Sequence, residues 1–373
     1  MRTRDARSEK REGFARARRH LGWTEPSSTT SLPASRFSSH WLTLHRTERG
    51  TEFIGIVPTR VLNPPATTGM AFWSLNPYVG CEFGCAYCYA RGTHRWAVER
   101  AANQSGAPAA AREAATLGSA VAFERRILVK QDADRVLART LDPARLDGLP
   151  IVIGSATDPY QPAEKRFRLT RRLLEVFLRH EGLHLGIITK SSLVARDAAL
   201  LAELSRRHQV SVHLSLPSVD RALLRQLEPR SAAPHARLRA IRQLRDAGVR
   251  VGILMMPLLP GLMDGRAALA SVLRAAKEAG ASWAAGGALR MGPATRHTLL
   301  PWLEVHRPEL AARYRRHYGG REGVHRAYSD ALQRRISALQ REVGFDPEEG
   351  RRRERRLGRP ERLTPMQGEL FTP

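Results

Sequence analysis

Cysteine is almost absent from this 373-residue chain, which contains only three residues of this type. All three lie between positions 81 and 88. An odd number of closely spaced thiols does not form the disulfide framework of a secreted domain. In a reducing compartment, such spacing more often indicates metal binding. The sequence therefore predicts one short metal-binding segment.

Lysine and acidic residues are also scarce. The chain has 61 Lys and Arg against 36 Asp and Glu, which gives a formal net charge of +25, and only five of the cations are lysines. This charge attracts polyanions, so nucleic acid is the first candidate partner. A general arginine bias in the coding sequence is the alternative explanation.

Long apolar runs are missing. The most apolar stretch, residues 251–263, contains Pro257 and Pro260 and is too short and too broken to cross a bilayer. No apolar run follows the basic N-terminus, so no signal peptide is indicated and we expect a cytoplasmic protein. With 42% hydrophobic residues, the chain can still bury the core of one barrel-type domain or two smaller domains.

Composition and periodicity divide the chain into four regions. Residues 1–50 are basic and then rich in Ser, Thr and Pro, and we expect them to be disordered. Residues 51–295 form the predicted α/β domain, and residues 296–348 are predicted to form a helical extension. Residues 349–373 are predicted to form a basic, solvated tail.

Buried strand patterns alternate with amphipathic helices across the predicted α/β domain. Strands are predicted to start at positions 151, 184, 210 and 249, with separations of 33, 26 and 39 residues. This spacing fits βα units around a parallel sheet, as in a full or partial TIM barrel or a doubly wound sheet. The predicted helices cover residues 168–180, 197–207, 234–247, 266–279, 308–318 and 327–343.

The cysteines occur in the run NPYVGCEFGCAYCYAR at residues 76–91, with the spacing C-x3-C-x2-C. Cys81, Cys85 and Cys88 can each bind one iron of a cubane cluster, which leaves the fourth iron without a protein ligand. An open iron can be chelated by a cosubstrate. This pattern favours an iron–sulfur site.

A structural zinc site is the alternative interpretation. Structural zinc takes four ligands, so His94 would have to serve as the fourth. Gly80 and Gly84 suit a bulky cluster because glycine tolerates positive φ and lets the backbone wrap closely around it.

The cysteine run resembles the radical S-adenosylmethionine (SAM) signature C-x3-C-x-aromatic-C, with Tyr87 as the aromatic residue. Its flanks resemble the branch of that superfamily related to spore photoproduct lyase. The match covers roughly residues 50–300. Its later segments are residues 154–162, 164–165, 169–171, 189–191, 227–229 and 257–261, together with Ser215.

The resemblance implies a fold and a chemistry. The fold is a partial TIM barrel of about six βα units, with the cluster loop after the first strand. The implied cofactors are a 4Fe–4S cluster and SAM, and a reductant such as flavodoxin or ferredoxin supplies the electron. Reductive cleavage of SAM then gives methionine and a 5′-deoxyadenosyl radical that abstracts hydrogen from the substrate.

The resemblance also assigns site residues. Cys81, Cys85 and Cys88 correspond to the cluster ligands, and the backbone of Tyr87 corresponds to a contact with adenine. Polar residues at the ends of the next predicted strands correspond to SAM contacts, and two of them are also catalytic candidates. These residues are Ser155, Thr157, Asp158, Lys190 and Ser215, with Asp158 and Lys190 as the catalytic candidates.

Structural roles are the alternatives for several of these residues. Asp158 precedes a proline and fits a turn, and Ser155 and Thr157 fit helix caps. Lys190 is either a surface lysine or a compact point charge needed in an otherwise arginine-rich chain. Glu228 is either a catalytic carboxylate or a structural partner of an arginine.

One departure from the related branch concerns the hydrogen donor. Spore photoproduct lyase is thought to use a further cysteine close to the segment matched by Ala156, and this chain has no fourth cysteine. Repair of a thymine photoproduct by the same route would therefore need another donor, such as Tyr160.

The C-terminal sequence QGELF adds a second indication of DNA metabolism. Gln367, Leu370 and Phe371 resemble the Q-x-x-L-F peptide that docks on the bacterial sliding clamp, although packing on the chain's own domain is the alternative. The leading hypothesis is an enzyme with lyase-like radical chemistry on nucleic acid, as in DNA repair. The alternatives are radical SAM modification of tRNA, a protein or a small metabolite, and a non-enzymatic zinc-bound nucleic-acid-binding module.

Overall fold

Eleven strands form two sheets in the residues that the computed structural model describes, which are 42–48, 50–93, 122–350 and 352. The larger sheet has the order β11-β10-β9-β8-β7-β4-β3, and the smaller has the order β1-β2-β6-β5. The strands are β1 (Leu42–Arg46), β2 (Glu52–Ile56), β3 (Leu62–Asn63), β4 (Trp73–Leu75), β5 (Tyr78–Val79), β6 (Arg126–Lys130), β7 (Ile151–Ile153), β8 (His184–Thr189), β9 (Gln209–Ser215), β10 (Val251–Leu258) and β11 (Ala284–Ala288).

Several predicted features lie outside the described residues. They are most of the N-terminal segment, most of the C-terminal tail, the candidate zinc ligand His94, and the clamp-like residues Gln367, Leu370 and Phe371. The predicted disorder of residues 1–50 is wrong at the described end of that segment, where β1 pairs with β2.

The larger sheet confirms the predicted partial barrel. Its strands β4, β7, β8, β9, β10 and β11 pair in parallel with their neighbours and follow one another in chain order. A doubly wound sheet reverses its strand order near the middle, and this sheet does not. The six parallel strands therefore follow one another around a partial barrel, as expected for six successive βα units.

Helices cover the sheet and bury its apolar strands. β7 has the sequence Ile-Val-Ile with all three residues buried, as expected for a parallel strand covered on both faces. The helices are α1 (Pro65–Thr68), α2 (Ala122–Arg125), α3 (Ala133–Thr140), α4 (Ala163–Phe167), α5 (Leu169–Phe177), α6 (Ala198–Arg207), α7 (Arg221–Leu227), α8 (Pro234–Asp246), α9 (Arg266–Glu278), α10 (Pro293–His306), α11 (Pro308–Tyr318) and α12 (Arg326–Val343).

The predicted helix over residues 168–180 is shorter in the structure and is preceded by a separate helix. Arg168, with φ of 51°, adopts the left-handed conformation between α4 and α5. That break starts a new helix at Leu169. The other predicted strands and helices agree with the structure to within about two residues, the usual uncertainty at element ends.

The helical extension packs against the last barrel strand. α12 lies on α9 and β11. Gln333 and Gln340 of α12 donate hydrogen bonds of 2.6 and 2.8 Å to the carbonyl oxygens of Gly286 and Ala284. The extension therefore covers the open edge of the barrel.

Within the described residues, no helix combines the length and the apolar character needed to span a bilayer.

Candidate active site

The three cysteines lie just after β5, in the connection that leaves β4, the first strand of the barrel. Cys81 and Cys85 are buried and Cys88 is half-buried, and all three are free thiols. The backbone N–H of Cys81 donates a 2.8 Å hydrogen bond to the carbonyl of Phe123, which joins the loop to α2. The carboxyl ends of all six parallel strands meet at this end of the barrel.

The three thiols lie close enough to influence one another. Burial raises the pKa of Cys81, Cys85 and Cys88, and the charge of the neighbouring cysteines raises the pKa values of Cys81 and Cys85 further. Thiolates in such a buried position need bound positive charge, which metal ions supply. The donor set therefore fits an iron–sulfur cluster.

A single-ion site does not fit as well. Among the described residues, no three His, Cys, Asp or Glu side chains are arranged to hold one metal ion. In a cubane each thiolate binds a different iron, so the three sulfurs do not have to converge on one point. The described donors therefore suit a cluster, and His94, the fourth ligand of the zinc alternative, lies outside the described residues.

Gly80 and Gly84 are required by the shape of the cluster loop. Their φ angles are +89° and +65°, in the left-handed region that favours glycine. A Cβ atom on Gly80 would lie 2.8 Å from the carbonyl oxygen of Phe123, and one on Gly84 would lie 2.6 Å from a carboxylate oxygen of Glu124. No other residue fits these positions without displacing its neighbours.

The segment after β7 supports the cluster loop. The Thr157 hydroxyl donates a 2.5 Å hydrogen bond to the carbonyl of Gly80, and the Gln161 amide donates to the same oxygen at 3.2 Å. The carbonyl oxygen of the Gln161 side chain accepts from the backbone N–H of Glu82 at 3.0 Å. Because the N-cap of α4 is Pro162, Thr157 does not cap that helix.

A network of short polar side chains joins the ends of β4 and β7. The Asn76 amide donates to the hydroxyls of Ser74 and Ser155 at 2.9 and 3.2 Å, and its oxygen accepts from the backbone of Ala156 at 2.9 Å. The Tyr89 hydroxyl donates to the carbonyl of Ser155. Ser155 thus lies between the first two barrel strands, at their carboxyl ends.

Asp158 joins the ends of β7 and β8. Its carboxylate accepts hydrogen bonds from the Thr189 hydroxyl at 2.6 Å, from the backbone of Lys190 at 2.7 Å and from the backbone of Tyr160 at 2.9 Å. Burial raises the pKa of Asp158, and these donors oppose that effect. The bond from Tyr160 is the turn contact that the sequence allowed, and the other two hold the start of the Lys190 loop.

Lys190 lies over a buried group of charges. Its Nζ atom is 3.9 Å from a carboxylate oxygen of Glu228 and 5.6 Å from the centre of the Tyr87 ring. Tyr87 donates a hydrogen bond to Glu228, and Arg237 forms a fully buried ion pair with the same carboxylate. Arg237 also donates a 2.7 Å bond to the carbonyl of Ser215 at the end of β9.

Two further arginines hold the outer side of the cluster loop. Arg91 is buried and donates a 3.0 Å bond to the carbonyl of Cys85. Arg91 and Arg230 both form ion pairs with Glu124. Positive charge therefore lies next to a loop that carries three thiols.

The structure brings the predicted site residues that it describes to this end of the barrel. The sequence interpretation missed several supporting residues and predicted the partner of Glu228 only as an unspecified arginine. Asn76, Arg91 and Gln161 lie inside motif segments, so their positions gave a signal, whereas Arg237 looks like any other arginine in this chain. Tyr160, the proposed alternative hydrogen donor, is buried, and burial followed by the charges of Asp197 and Glu164 raises its pKa.

Comparison with known proteins agrees with this geometry. The family model of the radical SAM superfamily matches residues 75–273, a segment that includes the cysteine loop and most of the barrel. This chain belongs to the radical SAM superfamily. The superfamily binds a 4Fe–4S cluster and SAM, so these are the cofactors of this chain, and the protein is an enzyme.

Two curated relatives match large parts of this chain. An uncharacterized protein of Mycobacterium tuberculosis is 30% identical over 303 residues, which is 79% of this chain and 84% of the relative. An uncharacterized protein of Methanocaldococcus jannaschii is 29% identical over 213 residues, 57% of this chain and 70% of that protein.

Mutants of spore photoproduct lyase have the same fold. A structure of that enzyme with bound AdoMet and dinucleoside spore photoproduct has a TM-score of 0.54 at 15% identity, and covers 78% of this chain and 79% of that chain. Another mutant structure has a TM-score of 0.54 at 17% identity, and covers 90% of this chain and 91% of that chain. At these sequence identities, the similarity to spore photoproduct lyase is a similarity of fold alone.

Proposed function

We propose that Cys81, Cys85 and Cys88 bind the 4Fe–4S cluster. The observation that carries this proposal is the grouping of three buried or half-buried free thiols on the loop after the first barrel strand. When bound, the cluster and SAM supply a radical that abstracts hydrogen from the substrate. The protein's own part is to hold the cofactors and to exclude water from them.

The carboxyl ends of the next strands are suited to hold SAM. Lys190 places an ammonium group beside the cluster loop, where it can pair with the carboxylate of SAM, so it is our first candidate for a catalytic contact. The Asp158 carboxylate accepts a hydrogen bond from the backbone N–H of Lys190. We assign Asp158 the role of holding the loop that begins at Lys190. Tyr87, Ser155, Thr157 and Ser215 lie at the same end of the barrel and are the remaining candidates for SAM contacts.

The proposed substrate is nucleic acid, with a DNA lesion as the first candidate. The net charge of +25 supports a polyanionic partner. Spore photoproduct lyase, which shares the fold, has been solved with a dinucleoside photoproduct. A chain without a fourth cysteine must complete the reaction with a different hydrogen donor, so we expect a related reaction rather than the same one.

Anaerobic reconstitution tests the cluster and the reaction together. The reconstituted protein is expected to be brown, to contain about four irons per chain, and to release 5′-deoxyadenosine from SAM in the presence of a reductant. Cys85→Ala is expected to lose both iron and SAM cleavage. Full SAM cleavage by that variant contradicts the cluster assignment.

A lysine pair tests the SAM site. Lys190→Met is expected to keep its iron and to raise the KM for SAM. Lys165→Met alters an exposed lysine on α4 and serves as the matched control, with an unchanged KM.

Incubation with ultraviolet-damaged DNA, followed by mass spectrometry of the nucleosides, identifies the reaction. Turnover of tRNA or of a protein instead of DNA would correct the substrate.

A further inference from the structure

The helical extension is attached to the mouth of the barrel by tyrosines. The Tyr314 hydroxyl donates a 2.8 Å bond to the carbonyl of Pro260, just after β10. The Tyr318 hydroxyl donates a 3.1 Å bond to the carbonyl of Leu289, just after β11. Both acceptors lie at the carboxyl ends of barrel strands, so α11 lies along the rim of the active site.

The extension also touches the cluster loop. The Thr298 hydroxyl of α10 donates a 2.6 Å bond to the carbonyl of Ala86, and the Thr295 hydroxyl lies 3.5 Å from the carbonyl of Cys88. These two contacts place α10 directly beside the proposed cluster. Whatever binds along α10 and α11 is therefore close to the site of radical formation.

This rim carries a strong excess of arginine. Residues 290–326, which we name the basic wall, contain eight arginines, three glutamates and neither lysine nor aspartate, a net charge of +5 with histidines neutral. Arginine presents a planar fork of donors that matches phosphate, which favours it over lysine for phosphate recognition.

Some of these arginines are already paired within the protein. Arg290 pairs with Glu322 at 3.5 Å, and Arg315 pairs with Glu304. Arg296 donates to the carbonyl of Tyr318 at 2.8 Å, which fixes the loop after α11.

Three other arginines of the basic wall have no such partner. Arg313, Arg316 and Arg321 are exposed, and no carboxylate among the described residues lies within ion-pair distance of them. Within the described part of the chain, their charges face solvent and not a counter-charge.

We infer that the basic wall binds the sugar–phosphate backbone of the nucleic acid, with Arg313, Arg316 and Arg321 contacting phosphates. This inference rests on the proposed function and names the surface through which it acts. Backbone contacts on the rim hold the nucleic acid in register while one nucleotide enters the barrel mouth. Tyr314 and Tyr318 hold the basic wall in place, because their hydroxyls are hydrogen-bonded to the barrel.

A charge-matched pair of variants tests the inference in the reconstituted full-length protein. The test variant is Arg313→Gln/Arg316→Gln/Arg321→Gln. The control variant removes three exposed arginines from the outer faces of α6 and α8, which also have no carboxylate within ion-pair distance among the described residues. The control substitutions are Arg206→Gln, Arg239→Gln and Arg242→Gln.

Binding of a short fluorescent DNA duplex is measured by anisotropy over a range of salt concentrations. For each phosphate contact that is lost, the slope of log affinity against log salt is expected to fall by about 0.9. The test variant is expected to show this reduced slope and to bind about tenfold or more weakly at moderate salt, and the control is expected to stay close to wild type. Thermal melting and iron content report whether each variant is folded.

The outcomes separate the two proposals. If wild-type affinity does not depend on salt, the nucleic-acid function itself is wrong. If wild type binds with a steep slope and the two variants lose affinity equally, only the basic wall is wrong, because total charge then explains binding. If polyglutamate displaces the duplex as well as unlabelled DNA does, the surface recognises acidic protein rather than nucleic acid.

Discussion

Tyr87 of the cluster loop donates a hydrogen bond to Glu228, which follows α7, 141 residues later in the chain. The same carboxylate is paired with Arg237, and both charged side chains are fully buried. Arg237 lies on α8, the helix that leads to β10, and it donates a hydrogen bond to the carbonyl of Ser215 at the end of β9. The loop that carries the cysteines is therefore connected to β9 and β10, the fourth and fifth parallel strands. The charge pair therefore sets the position of the aromatic residue between the second and third cysteines.

Removal of Glu228 is expected to cost more stability than removal of the Tyr87 hydroxyl. Glu228→Ala leaves Arg237 buried without a counter-charge, and we expect a loss of about 3–5 kcal/mol in the free energy of unfolding. Tyr87→Phe deletes one hydrogen bond to a charged acceptor and is expected to cost about 1.5–3 kcal/mol. Urea unfolding of the two variants measures both values.

An exposed glutamate provides the control for this comparison. Glu278→Ala changes a solvent-exposed residue at the end of α9 and is expected to stay within about 0.5 kcal/mol of wild type. Equal losses in Tyr87→Phe and Glu228→Ala would show that the ion pair with Arg237 adds nothing beyond the tyrosine contact.

The local features of this fold could be predicted from its sequence. The cysteine spacing marked the loop on which the structure places the three free thiols, because three cysteines within eight residues form a local pattern. The apolar runs of β7, β8, β9 and β10 identified the strands. Lys190 directly follows β8 and Asp158 lies in the segment after β7, close to where the sequence predicted them, since the end of an apolar run is visible in a sequence.

The contacts that complete the site are not local. Glu228 was recognised as a possible partner of an arginine, but the chain has many arginines and nothing distinguishes Arg237 until the fold buries it. β4 has only three residues, too few for a period to show. The hydrogen bonds from α12 to β11 join residues 47 and 56 positions apart, and no pattern of hydrophobicity records such a pairing.

Lys130 is expected to make stability depend on pH. Its ammonium donates a 2.7 Å bond to the carbonyl of Asn76, and burial lowers the pKa of Lys130 to about 8. Between about pH 8 and the ordinary lysine pKa near 10.4, the unfolded chain holds this proton and the folded protein releases it. The unfolded state then binds more protons, so this residue's contribution to stability rises with pH.

Comparison with Lys130→Met isolates this contribution from other titrating groups. From pH 7 to pH 10, the difference in unfolding free energy between wild type and Lys130→Met is expected to shift in favour of wild type by about 1–3 kcal/mol. This shift is smaller than that of a fully buried lysine, because Lys130 is half-buried and solvent screens its charge. Urea unfolding across this pH range measures it. Lys165→Met, at an exposed site, should show a flat difference, and a flat difference for Lys130→Met would mean that its pKa is not lowered.

The hydrogen bonds from Gln340 and Gln333 to β11 are expected to stabilise the open edge of the barrel. The carbonyls of Ala284 and Gly286 face away from β10, and an edge strand with unpaired backbone groups is both unstable and prone to pair with other chains. Gln340→Met keeps the approximate volume but leaves a buried carbonyl without a donor, which is expected to cost about 1–3 kcal/mol. Gln333 is half-buried, so Gln333→Met is expected to cost less because water can replace the lost donor.

Gln243→Met on the exposed face of α8 is the control for both glutamine variants. Urea unfolding gives the free energies, and light scattering at rising protein concentration reports association. If Gln340→Met is as stable and as monodisperse as the control, the side-chain bonds do not protect the edge, and packing of α12 alone closes the barrel.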